Sequence, residues 1–353
     1  MQGKPVTVGF VGVGRWANVL AEAVRRSNML TLGGCYARSA EGREEFARKH
    51  GCQAFPSLEA LLGDPRIEAV IVVTPNNAHA EVIEAAAVCK KPVFVEKPLA
   101  NTLSDALRIK RACEEARIPL AVGHSARRLK GIRRIKAMLD AGDLGDLVLV
   151  ETNFSNDRAW ELKPGQWRFY REESPGGPLI QLGVHHVDTL HYLGGPIDRV
   201  QAFVKRLYTS ADVEDVTAVL CEFTQGPLAY IGSAWVTPGV FWLRVYGTKA
   251  VATYFLDFRW WSRSDLADAH SRLIVEYKDK EDAEEVSLEQ GDMFVEELED
   301  FARAVRTGGK PEVGIDEGLA VVAVAEAALR SAETGQVQSA LALFNTSGMR
   351  REE

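Results

Sequence analysis

Between Val6 and Ser125 the sequence alternates short β-branched runs with amphipathic stretches. The runs are VTVGFVGV, LTLGGCYA, EAVIVVTP, PVFVEKP and PLAVGHS, separated by segments such as AEVIEAAAVCKK and SDALRIKRACEEA. Tight turns cannot join parallel strands, so this order requires crossovers, and right-handed helical crossovers are the usual solution. Residues 1–125 are therefore predicted to form a doubly wound parallel-sheet α/β domain. A chain of 353 residues exceeds the usual span of one core, and a second domain is expected over 126–353. There the rhythm changes. A helix around GIRRIKAMLDAG and a strand LVLVETNF lead to five further runs, DRVQAFVKRLY, EDVTAVLCEF, LAYIGSAWVT, FWLRVYG and VATYFLDF, with TQGP and GTKA as turns. This predicts an α+β domain on a large, mostly antiparallel sheet. The closing segments GDMFVEELEDFARAV and EGLAVVAVAEAALRSAETG return to helical periodicity and suit packing against either domain.

The turn after the first strand carries the first chemical signal. Gly12-Val13-Gly14-Arg15-Trp16-Ala17 lies directly between that strand and a helix. Gly12 permits a tight turn, Gly14 offers no side chain to block a pyrophosphate, and Ala17 lets helix and strand pack closely. Amides at the helix start, with Arg15 and Trp16 beside them, then face an anion. The spacing predicts a dinucleotide site. After the second strand an acidic residue would bind an adenosine ribose and repel a 2′-phosphate, but the sequence reads Ala37-Arg38-Ser39. Arginine pairs with phosphate and serine donates to it, so NADP is preferred over NAD.

Two further stretches belong to the same carboxyl edge of the sheet, where open α/β folds bind ligands. PVFVEKPLA ends a buried run in Glu96-Lys97-Pro98, and Pro98 restrains Lys97 to extended geometry, aiming its ammonium. In TPNNAHAE, Thr74, Pro75, Asn77 and His79 are expected to line the nicotinamide and its ribose, with Asn77 also capping the next helix. His124 and Arg127, at and just after the GHS strand end, are candidate substrate contacts.

The formal charge of −7 offers no general attraction to nucleic acid. Five widely spaced cysteines without a C-x-x-C pair fit reduced thiols in a cytoplasmic protein. No apolar signal segment precedes VTVGFVGV, and GLAVVAVAEAAL is too short to span a bilayer, so no membrane partner is expected.

GGPLIQLGVHHVDTLHYLGG, from Gly176 to Gly195, concentrates His185, His186, His191, Asp188 and Gln181 in an otherwise apolar helical stretch. Adjacent helical residues do not face one another, so His185 and His186 cannot share a small site. H-E-x-x-H is absent, and no metal is expected. Val184, Val187 and Leu190 form a core-facing strip, leaving His186 and His191 as satisfied core or interface residues.

Taken in order, strand-GVGRWA, TPNNAHAEV, VFVEKPLA, WRFYREESPGGPLIQLGVHHVDTLHYLGG, VEDVTAV and DEGLAVVAVAEAALRSAETG resemble the Gfo/Idh/MocA family of NAD(P)-dependent sugar oxidoreductases over nearly the whole chain. The resemblance implies an N-terminal Rossmann domain and a C-terminal domain whose large open sheet serves a homodimer or homotetramer. It also implies oxidation or reduction of a hydroxyl or carbonyl on a sugar, inositol or related polyol. Lys97 then corresponds to the lysine near nicotinamide and the reacting oxygen, and His185 to the catalytic histidine. Trp167 and Arg168 correspond to a substrate-side pair. One position departs: where many members have aspartate two residues before the glycine of G-x-H, this chain has Gln181. Glutamine orients a hydroxyl or an imidazole but takes no proton.

Removing hydride from an alcohol carbon requires loss of the oxygen's proton, so a general base is needed, and reversal needs an acid. Either His185 or Lys97 fills that role, with Gln181 assisting. Two alternatives stand beside this expectation: a catalytically weak NADP-binding sensor or scaffold, motivated by Gln181, and a dehydrogenase of a non-sugar cyclic diol.

Overall fold

The structure is a computed structural model and describes residues 4–349. The chain divides into two compact units. The first comprises the chain up to Ala100 with Ser104–His124 and Phe294–Leu319; the second comprises Asn101–Leu103, Ser125–Met293 and the chain from Ala320 onward.

The first unit is built on six parallel strands, β1 (Val6–Val11), β2 (Leu30–Tyr36), β3 (Gln53–Ala54), β4 (Ala69–Val72), β5 (Val93–Glu96) and β6 (Leu120–Gly123). Their order across the sheet is β3-β2-β1-β4-β5-β6, so the strand sequence reverses beside β1. That reversal opens a crevice at the carboxyl ends of β1 and β4, the switch point where doubly wound sheets take ligands. Strands β4, β5 and β6 are buried along their whole length, which explains their unbroken apolar runs. Helices α1 (Arg15–Arg26), α2 (Ala40–His50), α3 (Leu58–Gly63), α4 (His79–Val88) and α5 (Leu103–Ala116) make the crossovers. The sequence bounds the second domain at 126–353 and leaves its closing helices to pack against either domain. The structure returns Phe294–Leu319 to the first unit. The reason is a buried stripe of Phe294, Leu298, Phe301 and Ala302: Phe301 packs 6.0 Å from Phe94, and Arg306 pairs with Glu68.

The second unit begins with helix α6 (Lys130–Asp140), strand β7 (Leu147–Ser155) and helix α7 (Val184–Gly194). Strands β8 (Ile197–Lys205), β9 (Val216–Phe223), β10 (Leu228–Ala234), β11 (Val240–Gly247) and β12 (Ala250–Leu256) follow. After the single turn α8 (Ser264–Ala267) come β13 (Ser271–Tyr277) and β14 (Glu284–Val286). Helix α9 (Met293–Thr307) carries the stripe just described. Helix α10 (Ile315–Thr334), strand β15 (Gln338–Ser339) and helix α11 (Ala340–Met349) close the described chain. The nine-stranded sheet runs β14-β13-β12-β11-β7-β10-β9-β8-β15, and only the β7–β10 pair is parallel. TQGP and GTKA are the β9–β10 and β11–β12 turns, as their residue types require. The residues of β9 alternate in burial: Val219, Cys221 and Phe223 face inward, and Leu220 faces out. The described helices include none long and apolar enough to cross a membrane.

Candidate functional site

In the first unit the site is made mostly of backbone. Gly12 has φ +97°, and a Cβ there would lie 2.6 Å from the Val73 carbonyl oxygen, so only glycine lets β1 turn under the end of β4. Gly14 differs. A Cβ on it would meet nothing within 4 Å, so the protein's own packing does not demand glycine there. Gly14 is the N-cap of α1, offers no side-chain cap, and is followed by a first turn without acidic residues. The opening amides of α1 therefore face open space with the positive end of the helix behind them.

The rim next to this turn adds further polar groups. The Thr74 hydroxyl oxygen is buried with no hydrogen-bond partner among the described residues, a costly arrangement that a bound polar group would relieve. Trp16 Nε1 donates to Glu96 Oε1 at 2.6 Å, tying the start of α1 to the end of β5. Glu96 Oε2 also accepts the backbone N–H of Lys97 at 3.3 Å. Lys97 is half-buried, and its peptide bond to Pro98 is cis. Beyond β2, Arg38 and Ser39 are exposed, and Arg38 forms no ion pair or hydrogen bond among the described residues. The Ser39 oxygen caps α2 by accepting from Gly42 N at 3.1 Å, which leaves its O–H to donate. Ala37 is half-buried and its carbonyl accepts from Arg43. The first turn of α1, the buried Thr74 hydroxyl and the exposed Arg38-Ser39 pair together offer donors for a phosphate-bearing ligand.

Two expectations for this rim are corrected. Asn77 does not cap α4: it lies in a short 3-10 turn, Asn76–Ala78, and the N-cap position is Ala78 with no side-chain cap. His79 does not line the crevice. It is fully buried, its Nδ1 3.0 Å from the Pro98 carbonyl and its Nε2 3.2 Å from the Thr74 carbonyl, so it links the Thr74-Pro75 loop to the Lys97-Pro98 loop. Burial pushes its pKa down. His124 is likewise fully buried at the end of β6.

In the second unit the predicted residues gather by side chain. Leu179–Gly183 forms a π-helical turn that runs straight into α7, a rare local widening often found at functional sites. Gly177 precedes it at φ +47°, where a Cβ would come 2.0 Å from the Glu214 carbonyl oxygen. Within the π-turn Gln181 is 5% exposed; its Oε1 accepts from Arg168 Nε at 3.2 Å, and its Nε2 donates to Ser174 Oγ at 3.2 Å. The Arg168 guanidinium lies 4.1 Å from the centre of the Trp167 ring. Trp167, Arg168 and Gln181 thus form one connected group, and Ser174 joins it with no sequence signal beyond its place before the glycines.

His185 and His186 both approach Phe154, at 5.5 and 6.2 Å, but otherwise meet different rings. The His185 ring packs 5.0 Å from Trp261 and 5.5 Å from Phe154, whereas His186 packs 4.8 Å from Phe241. Burial pushes His186 and His191 down to about 4, so both are neutral near pH 7, His186 in the core and His191 half-buried. Arg127 was expected to reach substrate, but its fork is bound to Asp188, with Nε–Oδ2 at 2.8 Å and Nη2–Oδ1 at 2.6 Å. Both side chains are buried, and the pair locks the segment after β6 to α7.

A family model for the NAD-binding Rossmann fold of an oxidoreductase family matches residues 6–124, and one for the GFO/IDH/MocA C-terminal domain matches 132–253. The chain belongs to the Gfo/Idh/MocA oxidoreductase family. D-xylose 1-dehydrogenase (NADP(+)) 2 of Haloferax volcanii is 30% identical over 296 residues, 80% of this chain and 83% of that protein. The 1,5-anhydro-D-fructose reductase of Ensifer adhaerens is 26% identical over 334 residues, 91% of this chain and 97% of that protein. Among solved structures, a protein from Desulfitobacterium hafniense, provisionally described as an NADPH-dependent oxidoreductase, is 41% identical with a TM-score of 0.93. That match covers 97% of this chain and 99% of the other. As a Gfo/Idh/MocA member, this chain is an oxidoreductase with a nicotinamide-dinucleotide site.

Proposed function

We propose that the protein is an NADP-preferring dehydrogenase or reductase that moves a hydride to or from a hydroxyl- or carbonyl-bearing carbon of a sugar, sugar derivative or inositol. One observation carries the coenzyme half: a glycine at the head of α1 that packing does not require, in the same unit as a buried Thr74 hydroxyl without a hydrogen-bond partner among the described residues. The names of the relatives, which act on D-xylose and 1,5-anhydro-D-fructose, support the carbohydrate half.

The bound coenzyme supplies or accepts the hydride. The chain's own residues do the rest: the α1 amides and Thr74 hold phosphate and ribose, and Arg38 with Ser39 selects the 2′-phosphate. Lys97 polarises the reacting oxygen, and His185 or Lys97 moves its proton. Gln181, with Arg168 and Trp167, orients the substrate. The exposed face of the second unit's sheet, with Phe203 66%, Leu220 59% and Phe255 41% exposed, supports assembly with further copies of the chain into a homodimer or homotetramer. Five cysteines without a disulfide support a reducing, cytoplasmic setting.

The test follows nicotinamide absorbance across a panel of sugars, keto-sugars, inositols and cyclic diols. Turnover with a member of the panel is expected, and Lys97→Met and His185→Ala each lower kcat about 10²- to 10⁴-fold. Coenzyme affinity of His185→Ala stays unchanged. Full rate in both variants rejects these roles. Tight NADPH binding without turnover of any panel member favours the sensor reading that Gln181 motivates.

A further inference from the structure

The segment FRWW places two adjacent tryptophans in opposite surroundings. Trp260 stacks on exposed His270 with ring centres 3.9 Å apart and planes 3° apart. Trp261 turns inward, is 6% exposed, and meets His185 at 5.0 Å with an interplanar angle of 75°. On another side of the imidazole, Phe154 lies at 5.5 Å and 44°. The two aromatic rings brace one another at 4.8 Å, and Phe241 backs both, 5.1 Å from Phe154 and 5.2 Å from Trp261. His185 therefore stands against an aromatic corner drawn from β7 and the segment after β12.

A histidine ring turns about a bond with broad, shallow preferences, so its own torsion does not select one plane. Something outside the residue must. The aromatic corner acts on the ring plane directly: two surfaces inclined to the imidazole, each within contact range, leave it little angular freedom. Proton transfer is steeply sensitive to alignment, and a misplacement of about 1 Å costs on the order of 100-fold in rate.

We infer that Trp261, braced by Phe154, is a positioning residue that holds the His185 imidazole in the plane from which it exchanges a proton with substrate. This rests on the reading of His185 as the proton-transferring group. Trp261 itself touches neither proton nor hydride; its effect passes through the histidine.

The experiment compares His185→Ala, Trp261→Leu and Trp261→Phe in the full chain, measuring kcat, substrate KM, NADPH Kd and the solvent deuterium isotope effect on kcat. Trp261→Leu is expected to lower kcat about 10- to 100-fold, leave NADPH Kd within about twofold, and raise the isotope effect as proton transfer becomes slower. Trp261→Phe retains an aromatic face and is expected to restore kcat to within about threefold of the parent. Should Trp261→Leu not yield folded protein, Phe154→Leu removes the other wall and carries the same expectation. A leucine variant with parental kcat and isotope effect overturns the inference, as does a loss that phenylalanine leaves unrepaired. An active His185→Ala enzyme overturns the underlying reading of His185 instead, so the two failures are distinguishable.

Discussion

The glycine turn at the head of α1 and the π-turn at the head of α7 both open a helix, yet they are built in opposite ways. At α1 the backbone itself is the site: Gly14 faces open space, no side chain caps the amides, and Arg15 beside it is exposed. At α7 every residue from Leu179 to Leu190 is buried, and the site consists of side chains pinned by one another. A backbone site separates ligand binding from stability, because the atoms that bind are not those that pack. A side-chain site of the second kind joins the two, because removing one partner strands another in the interior.

The largest expected effect tests the joined half. Asp188→Asn breaks the buried fork to Arg127 while leaving the guanidinium charge in place, and is expected to cost about 3–5 kcal/mol in urea unfolding. A loss below about 1 kcal/mol would show that α7 tolerates change as a surface helix does. Next come the two glycines of the separated half. Gly12→Ala forces a positive φ and a clash with the Val73 carbonyl, and should cost about 1–3 kcal/mol of stability along with coenzyme binding. Arg38→Asp should weaken NADPH about tenfold or more while NADH affinity stays the same or rises, without changing the melting temperature. The smallest effect on stability belongs to Gly14→Ala, within about 0.5 kcal/mol, although its NADPH affinity falls. If Gly14→Ala were as destabilising as Asp188→Asn, the distinction between the halves would fail.

The same contrast explains what the sequence made legible. A backbone site leaves a local record, since glycines at fixed offsets after a β-branched run are the site, and the parallel sheet follows from the alternation of such runs with helical stretches. The side-chain site leaves almost none. Ser174 reaches Gln181 across the glycine pair, Trp261 reaches His185 from beyond β12, and Asp188 consumes an arginine 61 positions away that had been expected to face substrate. Periodicity marked the core strip of Val184, Val187 and Leu190 but carried no sign of the π-turn, because one widened turn shifts too few residues to alter a pattern. His79 misled for a related reason: a polar residue at the sheet's carboxyl rim reads as a ligand contact, whereas two backbone carbonyls had claimed its ring. The return of Phe294–Leu319 to the first unit was equally silent, since an amphipathic helix shows that it has a buried face but not which sheet covers it.

The central claim is a hydride moved between NADP and a carbohydrate carbon. Its most direct measurement uses NADPH deuterated at the transferable position of the nicotinamide, incubated with the purified protein and a panel of keto-sugars and keto-inositols, with products read by mass spectrometry and NMR. The account predicts deuterium on one carbon of the resulting alcohol, lost in His185→Ala and Lys97→Met. NADPH bound at the α1 turn with no label appearing in any member of the panel would contradict it.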